Sequence, residues 1–283
     1  MMMISIITPV YNREHIIEEC IQTVIDQNYP HIEHIIIDGS STDNTPKIIE
    51  KYARQYSHIR WLSEPDKGQS DAMNRGLLMA KGEIIGFLNS DDYYEPNVFK
   101  KVDQYFRDLP IPSLLVANCN VWHNNNQLIN VNKPRELNLS DLLLGFHVNP
   151  FPINPSAYFY HKFLHELIGL YDVNEHYVLD VDFLFRAVQV ANIEYVDETW
   201  GNYRQFENTK TVESINSGKS TQRVERLIRK YRKSFSYPSR LKLMFQYGFY
   251  KQLRTFNNFW KKLYYYLQNP SLAWSKINEK RKL

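Results

Sequence analysis

Two kinds of apolar block alternate along residues 1–110. Short β-branched runs, "ISIITPV", "HIEHIIID", "IRWLSE" and "EIIGFLNS", are bounded by turn-forming residues and read as four strands. Between them the apolar positions recur every three or four residues. In "REHIIEECIQTVIDQ", Ile16, Ile17, Cys20, Ile21, Val24 and Ile25 share one helical face. "GSSTDNTPKIIEKYARQY" offers Thr42, Asp43 or Asn44 as a cap and Pro46 in the first turn. "GQSDAMNRGLLMAKG" reads as a helix closed by Gly82, and "EPNVFKKVDQYFRD" as the helix after the fourth strand. The series predicts an α/β fold with a mostly parallel sheet flanked by helices.

Residues 113–174 are less regular. "SLLVANCNVWHNNNQLINVN" predicts a hairpin with its tip at Asn124, Asn125 and Asn126. A Pro-rich loop then leads to a strand over residues 156–160 and a short helix. In "HYVLDVDFLFRAVQVANIEYVD" the apolar face is Val178, Val181, Phe185 and Val188, with Asp180 and Asp182 in the first turns, where a helix dipole favours carboxylates. The scattered histidines, His147, His161, His165 and His176, form no compact ligand motif.

Charge changes this picture more than composition does. The net charge is +3, yet residues 219–283 hold 17 Lys and Arg against 2 Asp and Glu, while residues 1–218 hold 17 against 29. An acidic body (1–215) therefore carries a basic, aromatic-rich helical tail (216–283). The tail's mix of Lys/Arg with Phe, Tyr, Trp and Leu suits the surface of an anionic membrane. Packing on the acidic body and a homo-oligomer interface are the alternatives; nucleic acid is disfavoured, since no binding motif accompanies the charge. Two cysteines without metal-ligand spacing point to a reducing compartment. The opening "MMMISIITPVYN" reads as a strand rather than a leader, and no apolar run reaches the ~20 residues of a membrane span. The expected location is cytoplasmic, with peripheral attachment to the inner membrane face through the tail.

In open α/β sheets, ligands bind beyond the carboxyl ends of the strands. Those positions hold Thr8, Pro9 and Tyr11, then Asp38, then Asp66 and Lys67, then Asp91 and Asp92. Each acid alone could be a solvated turn or a cap. Recurring at one edge, they favour a hard divalent cation, Mg²⁺ or Mn²⁺, as neutraliser. No G-x-G-x-x-G follows the first strand, and "SGKS" (217–220) lacks both the upstream Gly and the preceding strand of a phosphate loop.

"SIITPVYNRE", "IIIDGSSTDNT", "EPDKGQSDAMNRG", "AKGEIIGFLNSDD" and "LDVDFLFR" occur in an order that resembles family-2 glycosyltransferases of the GT-A fold, over residues 3–210. The resemblance implies an inverting, metal-dependent sugar transfer from a nucleoside diphosphate sugar to a hydroxyl acceptor, in cell-surface polysaccharide or glycolipid synthesis. By position, Thr8, Pro9 and Tyr11 would line the nucleotide pocket, Asp38 would accept the base N3–H, and Asp66 and Lys67 would complete the nucleotide site. Asp91 would contact ribose or metal, and Asp92 would hold the cation. Asp180 would be the base, with Asp182 and Arg186 as its supports. Asn154 and Ser156 would lie on the acceptor side, and Arg204 and Lys210 would meet phosphate. A UDP-sugar is the favoured donor, with dTDP- and GDP-sugars as alternatives, and the acceptor is a glycan or lipid-linked. The sequence departs from the family where Phe206 replaces a usual His, which keeps a non-catalytic nucleotide-sugar binder as the competing reading. A sugar-phosphate nucleotidyltransferase lacks support, because no Gly- and Arg/Lys-rich loop follows the first strand.

Overall fold

A computed structural model describes residues 1–123, 127–146, 148–206 and 218–268. The predicted hairpin tip, His147, Lys210 and the first residue of "SGKS", Ser217, lie outside the described residues. The four predicted strands are β1 (Ile4–Val10), β2 (Ile32–Asp38), β3 (Ile59–Ser63) and β4 (Ile84–Phe87). The predicted helices are α1 (Ile17–Ile25), α2 (Thr45–Gln55), α3 (Gln69–Met79) and, after the two-residue β5 (Tyr93–Tyr94), α4 (Val98–Phe106). Then come β6 (Ser113–His123), β7 (Gln127–Asn132), α5 (Leu139–Leu142), a 3₁₀ turn (Pro155–Ala157), β8 (Tyr158–His161) and α6 (Leu164–Ile168). The described residues close with α7 (Leu179–Ala187), β9 (Asn192–Gln205), α8 (Lys219–Arg232) and α9 (Tyr237–Gln268).

The strands form one sheet in the order β3-β2-β1-β4-β8-β6-β9-β5, with β7 also on β6. Its first half, β3-β2-β1-β4, is parallel as the β/α pattern requires. The second half is mixed: β8 is antiparallel to both β4 and β6, whereas β6 and β9 run parallel. Inserting β8 between β4 and β6 turns an open parallel sheet into a longer mixed one. Side chains alternate across it. Ile7, Ile35, Ile85, Leu114 and Tyr158 join α3 and α7 on one face, while Ile6, Ile36, Ile84, Leu115 and Phe159 join α1, α2 and α4 on the other. Both faces are therefore dry, and each fully buried Ile or Phe contributes about 1.5–3 kcal/mol.

Gly82 does not close α3, whose C-cap is Ala80 in extended geometry. A Cβ at Gly82 would stand 2.8 Å from the Met3 carbonyl oxygen and 2.7 Å from the Ser5 nitrogen, so glycine is needed there for close passage of β1. The expected strand over 156–160 is a 3₁₀ turn followed by β8, because Asn154 caps Ser156 through its side chain.

The basic tail is two different helices. α8 lies on the body: Ile228 enters the core on the α7 face, Tyr231 bonds Asp182 (3.0 Å), and Arg223 pairs with Glu175 (3.0 Å). α9 contributes Leu243 to the same core, yet leaves Phe245, Phe249, Leu253 and Phe256 exposed along one stripe. Among the described residues no helix is long and apolar enough to cross a membrane.

Candidate active site

The loops after β1 and β2 are sewn together. Asn12 (φ 50°) and Ser40 (φ 61°) adopt left-handed backbone, and the Asn12 side-chain oxygen accepts the Thr42 N–H (2.9 Å). The Asn12 and Arg13 amides donate to Ser41 Oγ (2.7 Å) and Thr45 Oγ1 (2.8 Å). Strained non-glycine residues held this way are typical of sites whose loops must not drift. Tyr11, 56% exposed, projects beside them.

Asp38 is fully buried at the end of β2, where its carboxylate accepts hydrogen bonds from the Ser41 N–H (3.1 Å), the Ser41 hydroxyl and the Ser63 hydroxyl (2.6 Å). A carboxylate has about four acceptor directions, so about one remains. Asp66 is drawn up to this loop: a Cβ on Gly39 would fall 2.6 Å from Asp66 Oδ2, and Asp66 Oδ1 accepts the Gly68 N–H (2.8 Å). Lys67 is exposed. Thr8 is placed differently from expectation. Its hydroxyl points inward to His34 Nε2 (2.9 Å), because Thr8 shares the Ile4–Ile6 face of β1. Only its backbone is left to face the carboxyl end of β1.

Asp92 is completely buried and held by three donors. Asn89 Nδ2 (2.9 Å) and Asn154 Nδ2 (2.7 Å) bond one oxygen, and the Arg204 N–H (3.2 Å) the other. Arg204 is buried too. Its Nε donates to the Asp91 carbonyl, Nη1 pairs with Glu19 (2.6 Å), and its guanidinium lies over Tyr93 and Phe206. Its Nη2 is buried with no partner. Asn154, expected on the acceptor side, is thus an arm of the acidic motif, and its own oxygen accepts the Ser156 hydroxyl (2.6 Å). Sequence reasoning missed Asn89 and Glu19; Asn89 stands three residues before Asp92 and could have been read as its partner.

Burial raises the pKa of Asp92 to about 8, with the Asp91 charge adding to it and the Asn154, Asn89 and Arg204 bonds opposing it. Asp91 is also raised by burial, against the pull of Arg13 and Arg204. Two adjacent acids that resist ionisation, Asp92 fully buried and Asp91 partly so, fit a divalent cation. Mg²⁺-type ions commonly take one or two carboxylates and complete their shell with phosphate and water. Among the described residues no cluster of three or more His, Cys, Asp or Glu side chains stands ready to hold a metal, so phosphate and water would have to supply the rest.

Asp180 sits in the first turn of α7. The residue is partly exposed, but Oδ1 is buried without a partner, and burial raises the pKa to about 6 against the neighbouring Tyr158 hydroxyl. Two links bring it to the acidic edge: the His176 ring lies against Gly68 in the Asp66 loop, and Tyr158 follows the turn that holds Asn154. Asp182 turns away, bonded to Arg186 Nε (2.8 Å) and Tyr231. Arg186 in turn donates to the Ile168 carbonyl (2.7 Å) at the end of α6.

A family model for glycosyl transferase family 2 matches residues 5–168. An uncharacterized glycosyltransferase, EpsJ of Bacillus subtilis, is 36% identical over 102 residues, 36% of this chain and 30% of EpsJ. The putative teichuronic acid biosynthesis glycosyltransferase TuaG of the same organism is 38% identical over 101 residues, 35% of this chain and 40% of TuaG. The match thus spans less than half the length of each of these relatives. Among solved structures, S. aureus TarS 1–349 in complex with UDP-GlcNAc superposes with a TM-score of 0.65 at 21% identity, over 87% of this chain and 71% of that one. At that identity the likeness carries the GT-A-type fold, and it extends past the matched segment. With more than half of its length inside the family model, the chain belongs to glycosyl transferase family 2.

Proposed function

We propose that the protein is an inverting glycosyltransferase that moves a sugar from a nucleoside diphosphate donor, a UDP-sugar in the favoured case, to a hydroxyl of a glycan or lipid-linked acceptor in cell-surface polysaccharide or glycolipid synthesis. The observation that carries this reading is the pairing of two adjacent acids that resist ionisation, partly buried Asp91 and fully buried Asp92, with a separate acid, Asp180, whose pKa is raised to about 6. Environments that push acids apart in this way divide roles between them. Asp180 would accept the acceptor's hydroxyl proton as that oxygen attacks the anomeric carbon from the face opposite the departing diphosphate. Asp92 and Asp91 would hold Mn²⁺ or Mg²⁺, whose chemistry is to neutralise charge growing on the leaving diphosphate. Asp38 would receive the base N–H in its remaining acceptor direction, with Thr8 and Pro9 backbone, Tyr11, Asp66 and Lys67 around the nucleotide. The unpartnered Nη2 of Arg204 offers a further donor; Lys210 would supply a second cation. A poised acid at Asp180 favours catalysis over a purely binding role.

Calorimetric titration with UDP, GDP and dTDP, each with Mn²⁺ and with chelator, tests the donor site. Cation-dependent binding of one nucleotide is expected, at least ~10-fold weaker in chelator. A folded protein that binds none of the three refutes the reading.

The α9 stripe of Phe245, Phe249, Leu253 and Phe256 supports peripheral attachment to an anionic bilayer. Replacing Phe245 and Phe249 together by Ser is expected to release the protein from anionic vesicles in a sedimentation assay, whereas wild type co-sediments. Deleting all of residues 219–283 is the poorer test, since Ile228 is part of the core. Unchanged sedimentation, or loss of a dimer instead, would reassign the stripe to protein contact.

A further inference from the structure

Around Asp180 lies an unusual concentration of buried phenols. Tyr158 and Tyr160 come from β8 and Tyr171 from the segment before α7, and all three are buried. Their rings are fixed by Phe183, which stacks on Tyr158 (6.1 Å, 14°) and Tyr171 (5.4 Å, 27°) and tilts against Tyr160 (4.8 Å). Tyr171 is pinned further by Asn74, which bonds both its N–H and its carbonyl at 2.9 Å. The three hydroxyls are not equivalent. Tyr160 is engaged with His165 Nε2 (2.8 Å), and His165 Nδ1 with the Gly169 carbonyl (2.9 Å). Among the described residues the Tyr158 and Tyr171 hydroxyls and Asp180 Oδ1 are buried with no closed hydrogen bond, and of the two phenols Tyr158 is the one beside Asp180.

A buried donor and a buried acceptor side by side are costly to leave unpaired, since each has lost its water. Their mutual bond would satisfy both. Asp180 is partly exposed while Oδ1 is buried, so Oδ2 is the oxygen open to the cleft.

Resting on the assignment of Asp180 as the base, we propose that Tyr158 is its positioning residue: the phenol hydroxyl engages Oδ1, fixes the carboxylate plane, and leaves Oδ2 aimed at the acceptor hydroxyl. The other groups around this pair do not substitute for it. Tyr160 is committed to His165, the Tyr171 hydroxyl lies near Tyr160 as well as Tyr158, Tyr94 neighbours Tyr158, and Arg186 is spent on Asp182 and the carbonyl at the end of α6. A hydrogen bond donated to a carboxylate favours its charged form, so removing it must raise the pKa of Asp180.

The test uses the full chain with Tyr158→Phe, which keeps the ring and its stacking on Phe183, and Tyr160→Phe as the control. With ¹³C-carboxyl-labelled aspartate, the resonance missing from Asp180→Asn identifies Asp180. Its titration midpoint is expected to rise by about one pH unit in Tyr158→Phe and to stay in place in Tyr160→Phe. Nucleotide release from UDP-, GDP- and dTDP-sugars, with water as acceptor, should fall about tenfold at pH 7 in Tyr158→Phe with unchanged donor KM, and its acid limb should move with the midpoint. An unmoved midpoint, or an equal shift in the control, overturns the role of Tyr158 and leaves the base assignment standing. Turnover retained by Asp180→Asn overturns the base assignment, and the positioning role with it.

Discussion

Asp180→Asn is expected to lower turnover by about 10²–10⁴-fold while nucleotide affinity stays at the wild-type value. The substitution keeps the shape of a side chain whose inner oxygen is buried, so the fold has little reason to change. It removes the one thing the proposed mechanism asks of Asp180, the capacity to take a proton. Donor binding is spared because Asp38, Asp91, Asp92 and Arg204 are held by partners that do not include Asp180. In wild type, kcat/KM should fall as pH drops through about 6, where the buried carboxylate acquires its proton. Rapid kinetics beside calorimetry checks both halves. Turnover that survives, or binding that disappears with it, would remove Asp180 from the role of base.

The second large effect belongs to Asp92. Asp92→Asn should abolish cation-dependent nucleotide binding and weaken the pH dependence of stability in chelator. An unfolded Asp ionises near 3.9, whereas burial in the fold raises Asp92 to about 8. Between those values the folded state binds more protons than the unfolded one, so stability is greatest at low pH and declines as pH rises toward 8. Asn cannot ionise and removes that share of the slope; Asp91, also raised by burial, keeps the rest. Thermal melts at pH 5 and pH 8 should therefore differ less in the variant than in wild type, with each kcal/mol worth about 2–4 °C. Mn²⁺ plus the bound nucleotide should restore wild type at pH 8 and leave the variant unmoved. Equal pH slopes for the two proteins would show that Asp92 is already ionised without a cation.

The parts of this site that follow from local pattern were readable in the chain. β1 to β4 are short β-branched runs whose ends are marked by polar residues, and the acids sit where those ends must fall. The inward turn of Thr8 was readable as well, since a period of two puts it on the face of Ile4 and Ile6. What could not be read depends on non-local pairing. Nothing near Asn154 announces that its amide bonds Asp92, 62 positions away, or that β8 enters the sheet antiparallel between β4 and β6. Charge counting found the basic tail but not its division, because only packing distinguishes the docked Ile228 of α8 from the exposed Phe249 of α9.

The long parallel pairing of β9 with β6, which carries Arg204 to Asp92 across 112 positions, also sets a timetable. A ribosome adding about 5–20 residues per second needs roughly 6–22 s to travel from one residue to the other. During that interval the nascent chain can assemble β1 to β4 with Asp91 and Asp92 in place, but without the strand that caps them. The acidic edge is then at its least satisfied, and a cation or a chaperone has its longest access to it. Synthesis stalled before β9 would yield a sheet with a half-made site, whereas release after β9 closes the site in one pairing event.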